Sequence, residues 1–193
     1  MEESSLITQL KVVIFGDSNC GKTSLLFAWT ERTHNKMIKP TIGSAIKQQL
    51  VQKNGRDYCL SIWDTAGQEN YRSTSTLYCR NASAAMIVCD ISCRKTFDNM
   101  EEWIKILREN GDIPFIIVGN KVDLENRVVL SDELSHFASK HDTVSMETSA
   151  LTGHYVDEAF NALATVAVKS CNNIPNKPTV IRSQEERIKS NCC

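Results

Sequence analysis

Val12-Val13-Ile14-Phe15-Gly16-Asp17-Ser18-Asn19-Cys20-Gly21-Lys22-Thr23-Ser24-Leu25-Leu26 runs from apolar chain through a glycine-bounded loop and back into apolar chain. Gly16 and Gly21 enclose four residues, and Lys22 and Thr23 follow at once, which is the pattern G-x-x-x-x-G-K-[ST]. The residues before it suit a buried strand and those after it suit a helix, the setting that a phosphate cradle requires. The backbone N–H groups of Asn19, Cys20, Gly21, Lys22 and Thr23 can turn inward around phosphates, helped by the amino terminus of the helix. Lys22 would reach the outer phosphates and the Thr23 hydroxyl would hold Mg²⁺, with Ser18 and Ser24 completing the expected contacts of the loop.

Working outward, residues 10–16 read as a strand and a helix opens at Lys22 and runs to about Glu31. Residues 32–43 contain Pro40 and Gly43 without a clear period, so a loop is expected there. Two strand-like runs, SAIKQQLVQ and DYCLSIWD, are joined through Asn54-Gly55, a strong hairpin signal. After a loop at 64–70, the chain predicts a short helix and a strand AAMIVCDI. A helix at about 96–110 and a strand PFIIVGN come next. The remainder predicts a helix near 131–140, a short strand at 144–148 and a last helix at about 154–170. Val156, Ala159, Phe160, Leu163, Ala164 and Ala167 form a core-facing stripe on that last helix. The alternation predicts an α/β fold, with a six-stranded, mainly parallel sheet, one antiparallel edge strand and helices on both faces. Ligands of such sheets sit beyond the carboxyl ends of the strands, where the loops at 16–23, 64–70, 90–95, 119–124 and 149–153 emerge. The expected division is an N-terminal extension at 1–7, one domain at 8–171, and a polar, flexible tail at 172–193.

Composition narrows the classes. With 193 residues, 41% apolar and 23% charged, the chain can bury a sizeable core as one domain. A net charge of −1 gives no nucleic-acid footprint. The amino terminus MEESSLITQL lacks the pattern of a secretory signal, and no apolar run approaches the roughly 20 residues that span a bilayer. The eight cysteines read as free thiols of a reducing compartment rather than as disulfides or a zinc site, with Cys192-Cys193 set apart.

The base is predicted by Asn120-Lys121-Val122-Asp123 at the end of a buried strand. A carboxylate at Asp123 can accept from the ring N–H and the exocyclic amine of guanine, and adenine presents no such donor pair. The segment ETSAL offers the Ser149 hydroxyl and the N–H of Ala150, with Leu151 beside them, for the guanine carbonyl. In IWDTAGQ, Asp64 can hold Mg²⁺ through water, the N–H of Gly67 can approach the terminal phosphate, and Gln68 can orient an attacking water. Thr41 can add a second hydroxyl to the metal while the third phosphate holds its loop.

The set GDSNCGKT, PTIG, WDTAGQE, NKVD and TSA resembles a Ras-superfamily small GTPase, a P-loop NTPase G domain, over about residues 8–170. The opening GDS, WDTAGQENYRS, YCRNASAAMIVCDIS and the Cys192-Cys193 pair are most similar to the Rab branch. The resemblance implies a GTP/GDP switch with Mg²⁺, slow intrinsic hydrolysis, and two switch loops at 36–46 and 65–80. It also implies an exchange factor, a GTPase-activating protein, a GDP-dissociation inhibitor or escort protein, and effectors, with the chain itself a monomer. It further implies double geranylgeranylation at Cys192 and Cys193, and residence on the cytoplasmic face of an endomembrane in exchange with the cytosol. Three positions depart from the family pattern. His34 stands where an aromatic ring stacks on guanine, Ile38 where a tyrosine often covers the phosphates, and Ser44-Ala45-Ile46 where phenylalanine is usual. An adenine-nucleotide enzyme, a non-hydrolysing scaffold and a Rho- or Ras-type member are the rival readings; competition of GTP against ATP separates the first, and the Cys192-Cys193 pair in place of a C-a-a-X box speaks against the last.

Overall fold

The computed structural model describes residues 7–31, 41, 44–65, 72–173 and 179–181. Its elements are β1 Ile7–Phe15, α1 Lys22–Glu31, β2 Ser44–Lys53, β3 Arg56–Thr65, α2 Arg72–Cys79, β4 Ala84–Asp90, α3 Arg94–Asp98 and α4 Met100–Glu109. They continue with β5 Phe115–Asn120, α5 Ser131–Lys140, β6 Ser145–Thr148, α6 Val156–Asn173 and β7 Thr179–Ile181. The main path of the sheet is β2-β3-β1-β4-β5-β6. β1, β3, β4, β5 and β6 are parallel, and β2 is the antiparallel edge joined to β3. Asn54 and Gly55 make the hairpin turn with φ of 52° and 71°, the left-handed geometry that asparagine and glycine tolerate best.

Strand alternation sorts the core into two layers. Leu10, Val12 and Ile14 of β1, Met86 and Val88 of β4, and Ile116 and Val118 of β5 pack with Leu25 and Leu26 of α1 and Phe160 and Leu163 of α6. Val13, Phe15, Ile87 and Ile117 face the other way, onto Trp103 and Leu107 of α4 and Leu134 of α5. Such period-two sorting is what parallel strands buried on both faces demand. Each fully buried large apolar side chain contributes about 1.5–3 kcal/mol, so the central strands are the rigid platform of the molecule. Cys20, Cys59, Cys79 and Cys89 are buried free thiols, and Cys93 is an exposed one. Among the described residues no helix is long and apolar enough to cross a membrane.

The structure differs from the sequence expectation in two places. The single helix expected at 96–110 is two, α3 and α4, which meet at Asn99. The segment expected as tail from 172 closes α6 and adds a seventh strand, since β7 pairs antiparallel with β1 (Ile7 with Ile181, Thr8 with Val180, Gln9 with Thr179). β4 meets β1 only from Val12 onward, which leaves the first residues of β1 an open edge on that side. Backbone pairing fills that edge, and composition alone carries no sign of it.

Candidate functional site

The loop between β1 and α1 has the backbone that its glycines predict. Gly16 (φ 140°) has no room for a side chain, because a Cβ there would lie 2.1 Å from the carbonyl oxygen of Val88. At Gly21 (φ 91°) a Cβ would meet Asn120 Nδ2 at 2.2 Å. Asn19 takes a left-handed φ of 64° without glycine's freedom. Ser18 and Asn19 are exposed, Cys20 and Lys22 are buried, and Thr23 and Ser24 are half-buried. Lys22 Nζ donates to the carbonyls of Gly16 and Asp17, both at 2.9 Å. Burial pushes the Cys20 thiol up from its ordinary pKa, and its Sγ donates to the Asp17 carbonyl at 3.0 Å.

The loop is tied directly to the strand end expected to read the base. Asn120 Nδ2 donates to the carbonyl of Cys20 at 3.0 Å, while Asn120 Oδ1 accepts from Thr148 Oγ1 and from the N–H of Ala150, both at 3.2 Å. One buried amide therefore holds three chain segments together. Lys121 adopts a left-handed φ of 72° and its ammonium lies 2.6 Å from Asp90 Oδ2. Burial works against the charge of Asp90, but Lys121 and two bonds from Ser92 outweigh it and hold the carboxyl below its ordinary range. The Ser149 hydroxyl donates to Asp123 Oδ1, so the two segments predicted to flank guanine are in contact. Ser149 and Ala150 are buried and Leu151 is exposed beside them. Arg127 adds a brace: it pairs with Glu147 through both guanidinium arms and donates through Nε to the Val129 carbonyl at 2.7 Å.

A third group converges at Asp64, the fully buried end of β3. Thr23 Oγ1 donates to Asp64 Oδ2 at 2.6 Å, Thr41 Oγ1 does so at 3.3 Å, and the two hydroxyls lie 2.9 Å apart. Asp64 Oδ1 is buried with no hydrogen-bond partner among the described residues. Burial raises the Asp64 pKa, opposed by the threonine bonds and by Lys22. Two hydroxyls and a carboxylate with an unused oxygen form an all-oxygen donor set, which fits a hard divalent cation such as Mg²⁺.

Thus Cys20, Gly21, Lys22, Thr23, Thr41, Asp64, Asn120, Lys121, Asp123, Ser149 and Ala150 gather at the carboxyl ends of β1, β3, β5 and β6. His34, Gly67, Gln68, Cys192 and Cys193 lie outside the described residues. Sequence reasoning missed Asp90, Thr148, Arg127 and Glu147. Asp90 closes a strand at a loop already placed on the ligand side, and that position was its only signal. On the neighbouring β2–β3 surface, Ile46 pairs in register with Trp63 and is 51% exposed. The Trp63 ring is flanked by Tyr78, 6.0 Å away, and by the Lys11 ammonium at 4.2 Å. In a comparison with protein families, the model of the Ras family aligns with residues 11–169.

Proposed function

Because the chain belongs to the Ras family, whose members are small GTPases that switch between GTP and GDP, we propose that it is a Rab-like member regulating membrane traffic. The observation that carries the guanine reading is the contact of the Ser149 hydroxyl with Asp123 Oδ1, which brings together the two segments assigned to the base, while Asn120 ties them to the Cys20 carbonyl of the phosphate loop. In this reading the loop from Ser18 to Ser24 wraps the phosphates, Lys22 pairs with the outer ones, and Asp123 accepts from the guanine edge. Ser149, Ala150 and Leu151 line the side of the guanine carbonyl, and His34 stacks on the ring. Thr23 and Thr41, with Asp64 through water, would hold Mg²⁺, which supplies charge neutralisation of the phosphates when bound. Gly67 approaches the terminal phosphate and Gln68 orients the attacking water. In this reading a GTPase-activating protein supplies the catalytic arginine in trans, so unassisted hydrolysis is slow, on the order of 10⁻⁴ to 10⁻² s⁻¹.

The trafficking role is supported by the segments WDTAGQENYRS and YCRNASAAMIVCDIS and by Cys192-Cys193. Two prenyl chains on those cysteines would make membrane binding stable where one would leave it marginal. β7 runs antiparallel to β1, so the chain beyond Ile181 leaves from the end of the sheet opposite the phosphate loop. Anchoring from there leaves the nucleotide loops and the Ile46–Trp63 surface open to effectors. Replacing the usual ring with Ile46 gives that surface less aromatic area, which points to an effector set that differs from those of phenylalanine-bearing relatives.

Competing GTP against ATP for the purified protein tests the base reading, and preference for ATP would refute it. Gln68→Leu should slow single-turnover hydrolysis by roughly tenfold or more with GTP affinity kept, as removing a water-positioning group requires. Imaging the tagged chain with and without Cys192 and Cys193 tests the anchor: the intact chain should mark an endomembrane and the variant should be diffuse.

A further inference from the structure

We infer that Asp17 is a positioning residue that fixes the phosphate loop to the α3–α4 junction and thereby slows nucleotide release, an inference that rests on the guanine-nucleotide reading above. Asp17 is the second residue of the loop, but its carboxylate is turned toward the helices. Asp17 Oδ2 accepts from Asn99 Nδ2 at 2.5 Å, and Oδ1 accepts from Trp103 Nε1 at 3.0 Å. Both donors are fixed. Asn99 is the residue at which α3 gives way to α4. Trp103 is 1% exposed and its ring stacks on Phe15, the last residue of β1, with centroids 5.5 Å apart and planes 12° from parallel. The backbone carbonyl of the same Asp17 receives Lys22 Nζ at 2.9 Å and Cys20 Sγ at 3.0 Å. Asp17 therefore joins the helices through its side chain to the phosphate-seeking lysine through its main chain.

Two effects of this carboxylate on nucleotide binding have opposite signs. As a charge beside the phosphates it repels them, so its removal would tighten binding. As a tether it keeps the loop in the shape that wraps phosphates, so its removal would loosen binding. Paired hydrogen bonds to a charged acceptor, made by donors that are already immobile, favour the second.

The test is release of a fluorescent GDP analogue from the full-length protein in Mg²⁺, beside thermal unfolding of the nucleotide-free form. Asp17→Ala should accelerate release roughly tenfold, the size of one charge-assisted hydrogen bond. Asp17→Asn keeps an acceptor for Trp103 and can donate to a rotated Asn99 amide, so its release should stay within about threefold of wild type. Trp103→Phe keeps the stacked ring and removes one donor, so it should accelerate release by about threefold. Combined with Asp17→Ala it should add nothing further, because the two substitutions break the same link. Slower or unchanged release in Asp17→Ala, fast release in Asp17→Asn, or additive effects in the double variant would each overturn the inference, whatever happens to the unfolding temperature. Failure of wild type to bind the GDP analogue would instead remove the functional reading itself.

Discussion

At the base corner of the site, Asn120 uses both ends of its amide in three bonds, Asp90 pairs with Lys121, and Arg127 pairs with Glu147. At the metal corner, one oxygen of Asp64 is buried without a partner among the described residues, and its other oxygen serves two threonine hydroxyls that come from different loops. Among the described residues, the polar groups of the first corner answer one another, whereas the second keeps one carboxylate oxygen for which they supply no donor. The contrast gives the two halves different duties: the base corner is part of what keeps the fold together, and the Asp64 corner holds bonding capacity that the proposed Mg²⁺ would use.

Substitutions should therefore separate the corners. Gly21→Ala strikes the junction between them, forcing a side chain onto φ of 91° with its Cβ 2.2 Å from Asn120 Nδ2. It should cost ~3 kcal/mol or more of stability and abolish tight GDP binding, read by denaturant unfolding and calorimetric titration. A variant with wild-type values in both would mean that the two loops are not coupled through this contact. Asn120→Ala leaves the Cys20 carbonyl, Thr148 and the Ala150 N–H without their partner, and should cost about 2–3 kcal/mol even without nucleotide.

Asp90→Asn should cost about 1 kcal/mol near neutral pH by weakening the hold on Lys121. Its pH dependence has a definite sign. The folded pKa of Asp90 is depressed below the ordinary 3.8, so its stabilisation is present above that value and is lost as pH falls through the folded one. The stability gap between wild type and Asp90→Asn should thus be constant from neutrality to moderate acid and close below it, in unfolding curves taken across that range. The smallest effect has the opposite sign. Asp64→Asn removes a desolvated charge, and should leave the nucleotide-free protein unchanged or up to about 1 kcal/mol more stable while weakening Mg²⁺-dependent nucleotide binding. Thermal shifts with and without EDTA check this, and a clear loss of stability in the nucleotide-free protein would erase the contrast between the corners.

Much of this site was legible in the chain because its chemistry is carried by short, contiguous spacings. Gly16 to Thr23 and Asn120 to Asp123 each sit on one loop, and the order of strands and helices puts those loops at the same end of the sheet. The partners that hold them were not legible for the reason that each lies far away in sequence. Asp17 meets Asn99 and Trp103 across 82 and 86 positions, and Arg127 meets Glu147 across 20. No periodicity connects such residues; only the packed α4 and β6 bring them near. The same holds for β7, whose polar surroundings predict a tether, while the strand exists because β1 offers backbone groups that need pairing. The division of α3 from α4 was hidden because the apolar pattern continues across Asn99.

Lys22 rests on its own loop, its ammonium bonded to two main-chain carbonyls while 5% exposed. The chain thus supplies this buried cation with acceptors from the very loop that carries it. Carbonyl oxygens held at 2.9 Å spare the fold an unsolvated ammonium in its interior, and among the described residues they do so without a carboxylate in direct contact with it.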